Sequence, residues 1–426
     1  GGAGEGNTAL GTFAMSGGDD TVANNTAKNN VAIGQSALGG VTKGSDGAAF
    51  TAANNVAVGY QALTTITTGG GNVAVGSGAG DSITTSGENT FVGYEAGAAL
   101  TGGSGLNIAM GYQPLYLGTA NSNAIAIGGR AGYNSQASNN VYVGASSGRE
   151  NRAGISQVYI GASAGYYATG SYNTFVGQDA GKGGTTSAPY SSGTNNVAIG
   201  ASALAAFKAS TDNIAIGKGS LDALAGIGTS DRTDRNIAIG TDALGALNGT
   251  HADAYSNDNI AIGFQAGLAG SRSNAIPFAG NIAIGSYALD ATAANDHNGT
   301  IAIGYNALTE LTSGTGNLAI GHEAMATHTT GLKNIAIGAY AMNDTDQSAA
   351  TLGSTENIFM GYDAGGGTWT TAACSYNVGI GNNVMDAAMN GALNNTAVGH
   401  NSLSALTTGD YNTAIGSTSG QSLTTG

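Results

Sequence analysis

Side chains able to do chemistry are sparse in this sequence of 426 residues. The five histidines, His251, His297, His322, His328 and His400, show no His-x-x-x-His spacing, and the single cysteine, Cys374, has no Cys-x-x-Cys partner. A zinc site needs three or four such ligands at motif spacing. One cysteine also leaves no disulfide to be made within the chain. Two carboxylates are adjacent at Asp19-Asp20. A solvated turn or weak cation site fits that pair better than a glycosidase dyad, whose carboxylates face each other across a substrate. There is no Asp-x-Asp-x-Asp-Gly run of the kind that cages calcium. No Gly-x-Ser-x-Gly elbow stands above the Gly and Ser background. The expectation is a non-enzyme with no cofactor and no metal.

Binding chemistry is better represented. Trp369, Tyr190, Tyr255, Arg232 and Arg235 sit in irregular stretches, where aromatic rings stack on sugars and guanidinium groups hydrogen-bond to them. These five are the candidate receptor contacts.

The elements that must position them are repeats. One unit, Asn-Val/Ile-Ala-Ile/Val-Gly-x-x-Ala-Leu/Gly, occurs 22 times, from Asn7 to Asn412, most often 17 residues apart. A fixed period of this length marks a stacked array. The chain therefore reads as one repeat array over 1–426, an all-β, parallel β-solenoid (β-roll or β-helix) of about 22 repeats. Each unit is expected to run strand, corner, second short strand, loop. Longer spacings place inserted loops at 16–29, 39–54, 182–195, 222–235, 245–258, 268–280, 290–299, 343–356 and 366–376. Such insertions emerge from one side and often carry binding. At about 4.8 Å per coil, 22 coils make a rod roughly 105 Å long. The chain begins without Met and stops within the pattern, so a piece of a longer fibre is expected.

Position by position, the unit is restrictive. The second and fourth residues are β-branched or otherwise apolar in nearly every copy and share a strand face. That pattern predicts one buried face. The fifth residue is Gly in all 22 copies, as a positive-φ corner or a close backbone approach requires. Asn holds the first position in 19 of 22, consistent with stacked side-chain ladders. The third residue is Ala in 16 copies and aromatic at Phe91, Tyr142, Tyr159, Phe175 and Phe359. Strands apolar on both faces are buried on both. The second face is therefore expected to meet another copy of the chain, with those five aromatic residues as interface candidates.

Composition agrees with a packed array. Glycine numbers 74, and only 9% of residues are charged. The net charge of −14 repels phosphates and argues against nucleic acid as a partner. No run of 18 apolar residues is present, so no membrane insertion is expected in this segment.

The unit Asn213-Ile214-Ala215-Ile216-Gly217 resembles the repeat of trimeric autotransporter adhesin heads, a left-handed parallel β-roll. The fuller form Asn55-Val56-Ala57-Val58-Gly59-Tyr60-Gln61-Ala62-Leu63, followed by Thr64-Thr65, is similar to repeats in bacteriophage tail-fibre proteins. Tyr172-Asn173-Thr174-Phe175-Val176-Gly177-Gln178-Asp179-Ala180-Gly181 fits the same pattern. The resemblance covers Asn7 to Gly420. Adhesin heads use a shorter repeat than the 17 residues preferred here, which favours the tail-fibre form. The resemblance implies an elongated homotrimer, a structural and adhesive fibre on a virion or bacterial cell surface. Its loops would contact a host cell-surface glycan or protein, alongside other fibre components. The alternatives are a bacterial trimeric adhesin head, a polysaccharide-degrading tailspike, and an ice-binding solenoid suggested by Thr64-Thr65-Ile66-Thr67-Thr68.

Overall fold

The structure is a computed structural model that describes residues 6–16, 26–39, 50–184, 190–223, 233–247, 256–268, 278–291, 297–345, 353–369 and 372–426. Much of the inserted stretches lies outside these ranges, including Asp19, Asp20, Arg232, His251 and Tyr255.

The fold is an all-β parallel solenoid. Each repeat contributes one three-residue strand, from β1 (Thr8–Leu10) to β22 (Thr413–Ile415). The chain divides into two units, Gly1–Ser202 and Ala203–Gly426. In the first, β1 to β11 (Val197–Ile199) pair consecutively and in parallel, as do β12 (Ile214–Ile216) to β22 in the second. The register never slips: Val56, Ala57 and Val58 face Val73, Ala74 and Val75. Identical repeats therefore form columns of identical side chains.

The corner glycine is required by its neighbour. Gly34 has a φ of 125°, and a Cβ there would lie 2.6 Å from the carbonyl oxygen of Gly59 in the next coil. No residue with a side chain fits both constraints.

The expected second strand is absent among the described residues. In its place the chain makes a turn in which the seventh and ninth positions adopt left-handed φ, as at Gln61 (55°) and Leu63 (50°). The two amides point to opposite neighbours. Gln61 N donates to Gln35 O of the preceding coil, and Leu63 N to Ala79 O of the following one, each at 3.0 Å. Both are hydrogen-bonded without a sheet, which is what a buried backbone demands.

The faces of the strand are the reverse of the sequence expectation. From β2 (Val31–Ile33) to β22 the middle residue of every strand is buried, while its two β-branched or apolar neighbours are only half-buried or exposed. Phe91, Tyr142, Tyr159, Phe175 and Phe359 are all fully buried inside their coils. They are core residues of the single chain and not the interface between copies. Inside the coil the third position takes a small Ala, or one flat ring opposite a glycine at the ninth. The bulkier Val and Ile stand outside.

The first-position asparagines line the interior and bond from coil to coil. Asn72 Nδ2 donates to Asn55 Oδ1 at 3.0 Å and to Ser86 O at 3.1 Å. Asn89 N donates in turn to Asn72 Oδ1 at 3.0 Å. Every polar atom of the buried amide is thus satisfied. Gln157 takes over the role in its coil: its backbone N donates to Asn140 Oδ1 at 2.9 Å, and its Oε1 accepts from Asn173 N at 3.0 Å.

Candidate functional site

No constellation of catalytic type emerges among the described residues, and no group of three or more His, Cys, Asp or Glu there stands close enough to hold a metal ion. Two of the described histidines are buried and serve structure. His297 is buried with Nε2 3.3 Å from Leu311 O, and His328 is buried with Nδ1 3.0 Å from Thr345 Oγ1. Cys374 is buried, and burial pushes its thiol up to about 11.

The receptor candidates separate. Trp369 is fully buried, its ring edge-on to Phe359 at 6.1 Å. It fills a coil and offers no face to a ligand. Arg235 is exposed, but its fork is already used: Nε donates to Asp258 Oδ1 at 2.7 Å and Nη2 to Asp258 Oδ2 at 3.0 Å. That pairing holds the Asp258 carboxyl below its ordinary range. Tyr190 alone of the described three joins a surface assembly, stacked on Tyr167 at 5.8 Å. Arg232 and Tyr255 lie outside the described residues. Arg235 and Trp369, both in the second unit, lie in separate coils.

What the structure does bring together is three surfaces built by the columns. The first is the outward face of the strands. Ile33, Val75, Ile127, Ile160, Ile199 and Ile262 all count among the exposed large apolar residues. Burial on one face only is normal for a sheet, but then the other face is polar. Here it is mainly aliphatic, with Thr at the second position of five copies, and runs the length of each unit without a charged residue in any strand. Monomeric soluble proteins rarely leave contiguous apolar patches beyond a few hundred Å².

The second surface is an aromatic ladder in the second unit, at the sixth and seventh positions. Phe264, Tyr287, Tyr305, His322, Tyr340 and Tyr362 follow one another with ring centroids 5.3–6.1 Å apart. All but the Tyr305–His322 pair meet edge to face or nearly so, the arrangement that ring quadrupoles favour. This ladder continues the apolar strand face around the glycine corner.

The third lies in the first unit and mixes rings with guanidinium groups. Tyr94 stacks on Tyr112 at 5.4 Å, and Tyr116 on Tyr133 at 5.2 Å. Arg130 sits 5.8 Å from the ring centres of both Tyr112 and Tyr133. Arg149 lies 5.4 Å from Tyr133 and 5.3 Å from Tyr166. Arg152 lies 5.5 Å from Tyr190. These distances are within reach of cation–π attraction. Sequence reasoning passed over both ladders because it sought unusual residues in the loops. The signal was in the repeat itself, where aromatic side chains recur at the sixth position (Tyr60, Tyr94, Tyr112, Phe264, Tyr305, Tyr362).

By this architecture the chain is a β-solenoid repeat protein. No family model, curated protein or solved structure matches it. No helix among the described residues is long and apolar enough to cross a membrane.

Proposed function

We propose that this chain is a segment of a self-associating structural and adhesive fibre, of the tail-fibre or surface-adhesin kind its repeat resembles. The observation that carries the reading is the outward Val/Ile face. Its fourth-position residue is Val, Ile, Leu or Met in every copy, and its partner must match a ladder of the same register along the same length. A second copy of the same chain meets that demand directly, since its own outward face is identical. Three copies is the number the resemblance implies. The coil interiors hold one chain together, and the outer faces join the chains, opposite to the assignment that the sequence pattern suggested.

The adhesive part of the reading rests on the aromatic and guanidinium groups that the coils display in columns. Repetition along the array and across copies would make weak contacts cooperate as one multivalent ligand. A host cell-surface glycan is the partner such groups suit. Light scattering on a sizing column tests the assembly. A species near three times 41.4 kDa supports it. A 41.4 kDa monomer would show that the outward face tolerates water, and the fibre reading would lose its main physical support.

A further inference from the structure

We propose that the arginine–tyrosine ladder of the first unit is a binding site for an anionic polysaccharide. The proposal deepens the adhesive half of the reading above and rests on it.

Positive charge is scarce and concentrated here. The sequence has six arginines, and Arg130, Arg149 and Arg152 come from two neighbouring coils at one corner. Beside them stands the buried carboxylate of Glu150, and Glu95 lies further along the ladder, next to Tyr94. Glu150 Oε2 accepts from Asn134 Nδ2 at 2.6 Å, and the carboxylate lies 3.7 Å from both Arg149 Nε and Arg152 Nη2. Glu150 is shared between Arg149 and Arg152 and leaves Arg130 unmatched. Arg130 is exposed and pairs with no carboxylate among the described residues. The patch therefore offers an exposed guanidinium without a carboxylate partner among the described residues, on a chain of net charge −14.

The rings explain how that charge is held. Each guanidinium lies against tyrosine, and Tyr133 has one on either side, Arg130 and Arg149. Arg149 Nη1 also donates to Tyr166 Oη. A guanidinium confined by rings loses little further freedom when it binds, and the exposed Arg130 and Arg152 have N–H groups to present as a planar fork. That fork matches a carboxylate or sulfate bidentately, which an ammonium does not. The tyrosine hydroxyls and ring edges beside it suit the hydroxyls of a sugar. A small anion would engage one fork only. A chain of acidic sugars would engage forks on successive coils, since both partners are linear repeats. Nucleic acid fits less well, because its dense phosphates meet the net negative field of the whole chain. The ladder also stands beyond the corner from the strand face proposed to join copies: Tyr116, Tyr133, Arg149 and Tyr166 all occupy the tenth position of their repeats.

Affinity electrophoresis of the full chain through gels containing polygalacturonate, a chondroitin sulfate, dextran or duplex DNA provides the test. Retardation by polygalacturonate or chondroitin sulfate at least tenfold stronger than by dextran or DNA is expected. The double substitution Arg130→Gln with Arg152→Gln should weaken that binding at least tenfold without changing melting temperature or mass. Lys218→Gln with Lys333→Gln removes the same charge elsewhere and should leave binding within twofold. Arg130→Lys keeps the charge but loses the fork, and should fall between wild type and Arg130→Gln. No retardation by either polyanion, equal retardation by dextran, or stronger retardation by DNA would overturn the proposal. So would equal losses in the two double variants. Light scattering on the same samples separates the readings: an oligomer that binds neither polyanion sinks this inference alone, and a monomer that binds sinks only the assembly.

Discussion

The ring of Phe91 occupies the space that a side chain on Gly97 would need: a Cβ built on Gly97 would lie 2.7 Å from Phe91 Cε1. The two are the third and ninth residues of one repeat. All five repeats with an aromatic third residue have Gly at the ninth, at Gly97, Gly148, Gly165, Gly181 and Gly365. Where the third is Ala, the ninth is commonly Leu or Met, as in Ala57 with Leu63 and Ala319 with Met325, all buried. Between the third and ninth positions a coil takes at most one large side chain, from either wall. Gly97→Leu should therefore overpack the coil and cost about 1–3 kcal/mol, and Phe91→Ala should leave a cavity costing about 3–5 kcal/mol. Leu63 adopts the backbone angle that Gly97 needs, so the double variant Phe91→Ala/Gly97→Leu should recover most of both losses. Denaturant melts of the four proteins form the cycle, and strictly additive losses would refute the trade.

The asparagine ladder makes a second demand. Replacing Asn72 with Ala removes the acceptor for Asn89 N and Asn89 Nδ2, and the donor to Asn55 Oδ1 and Ser86 O. All are buried, and each group left unsatisfied costs about 1–3 kcal/mol. Asn72→Ala should lower stability by at least one such increment, whereas the exposed Thr68→Ala should change it by under about 0.5 kcal/mol. Urea titration of both variants checks the contrast.

Much of this design was legible in the sequence, and the exceptions have physical causes. The all-β class, the strand positions and the glycine corner follow from a period that leaves few other folds. The direction of the strand did not. Val-Ala-Ile alternates equally well whichever face is inside, and intuition places the larger aliphatic residues in the core. What decides is the width of the coil, which a local pattern does not encode. It is encoded in the pairing of the third and ninth residues, such as Phe175 with Gly181, which only makes sense if both point into one small interior. Trp369 misled for a related reason: a lone Trp in an irregular stretch reads as a surface contact, whereas here it closes a coil beside Phe359. The arginine–tyrosine ladder was hidden because Arg130, Arg149 and Tyr166 become neighbours only through stacking.

Acid should strengthen the fold through its half-buried carboxyls. Burial is the main cause that raises Asp81, Asp222, Asp290, Asp363 and Asp386 above the usual 3.8. Neighbouring acids add to it at Asp222, from Asp242, and at Asp363, from Asp386 and Asp344. A carboxyl raised in the folded state binds its proton more tightly there than in the unfolded chain. Its favourable contribution is complete below pH 3.8 and is lost as pH rises through the raised value. The melting temperature should climb as pH is lowered from 7 towards 4. Asp222→Asn should raise it at pH 7 and flatten the slope. A profile that falls on acidification, in both proteins alike, would show that other groups control stability.

Cys374 should be silent in the native protein. The thiolate is the reactive form, and at pH 8 a group raised to about 11 is almost wholly protonated as well as buried. A thiol-specific chromogenic reagent should label less than a tenth of the protein in an hour at pH 8, and all of it within minutes in strong denaturant. Rapid native labelling would mean that this coil opens locally.

Adjacent substitutions separate the two faces of one strand. Ala215 is buried inside the coil, and Ile216 beside it is only half-buried on the outer face. Ala215→Asp forces an unpaired charge and extra volume into the interior, which has no room or partner for either, so that coil should unfold and the melting temperature fall steeply. In an isolated chain Ile216→Asp would put its charge in water at little cost. Between packed outer faces the same charge would be buried against aliphatic neighbours from another copy. Ile216→Asp should therefore keep the β-rich circular dichroism spectrum while shifting the mass towards 41.4 kDa, with the exposed Ile262→Asp behaving alike. If both outer-face variants keep the wild-type mass and melting temperature, the outward Val/Ile face is not what joins the copies. If they unfold as Ala215→Asp does, folding and assembly are a single event, and the coil does not stand without its partners.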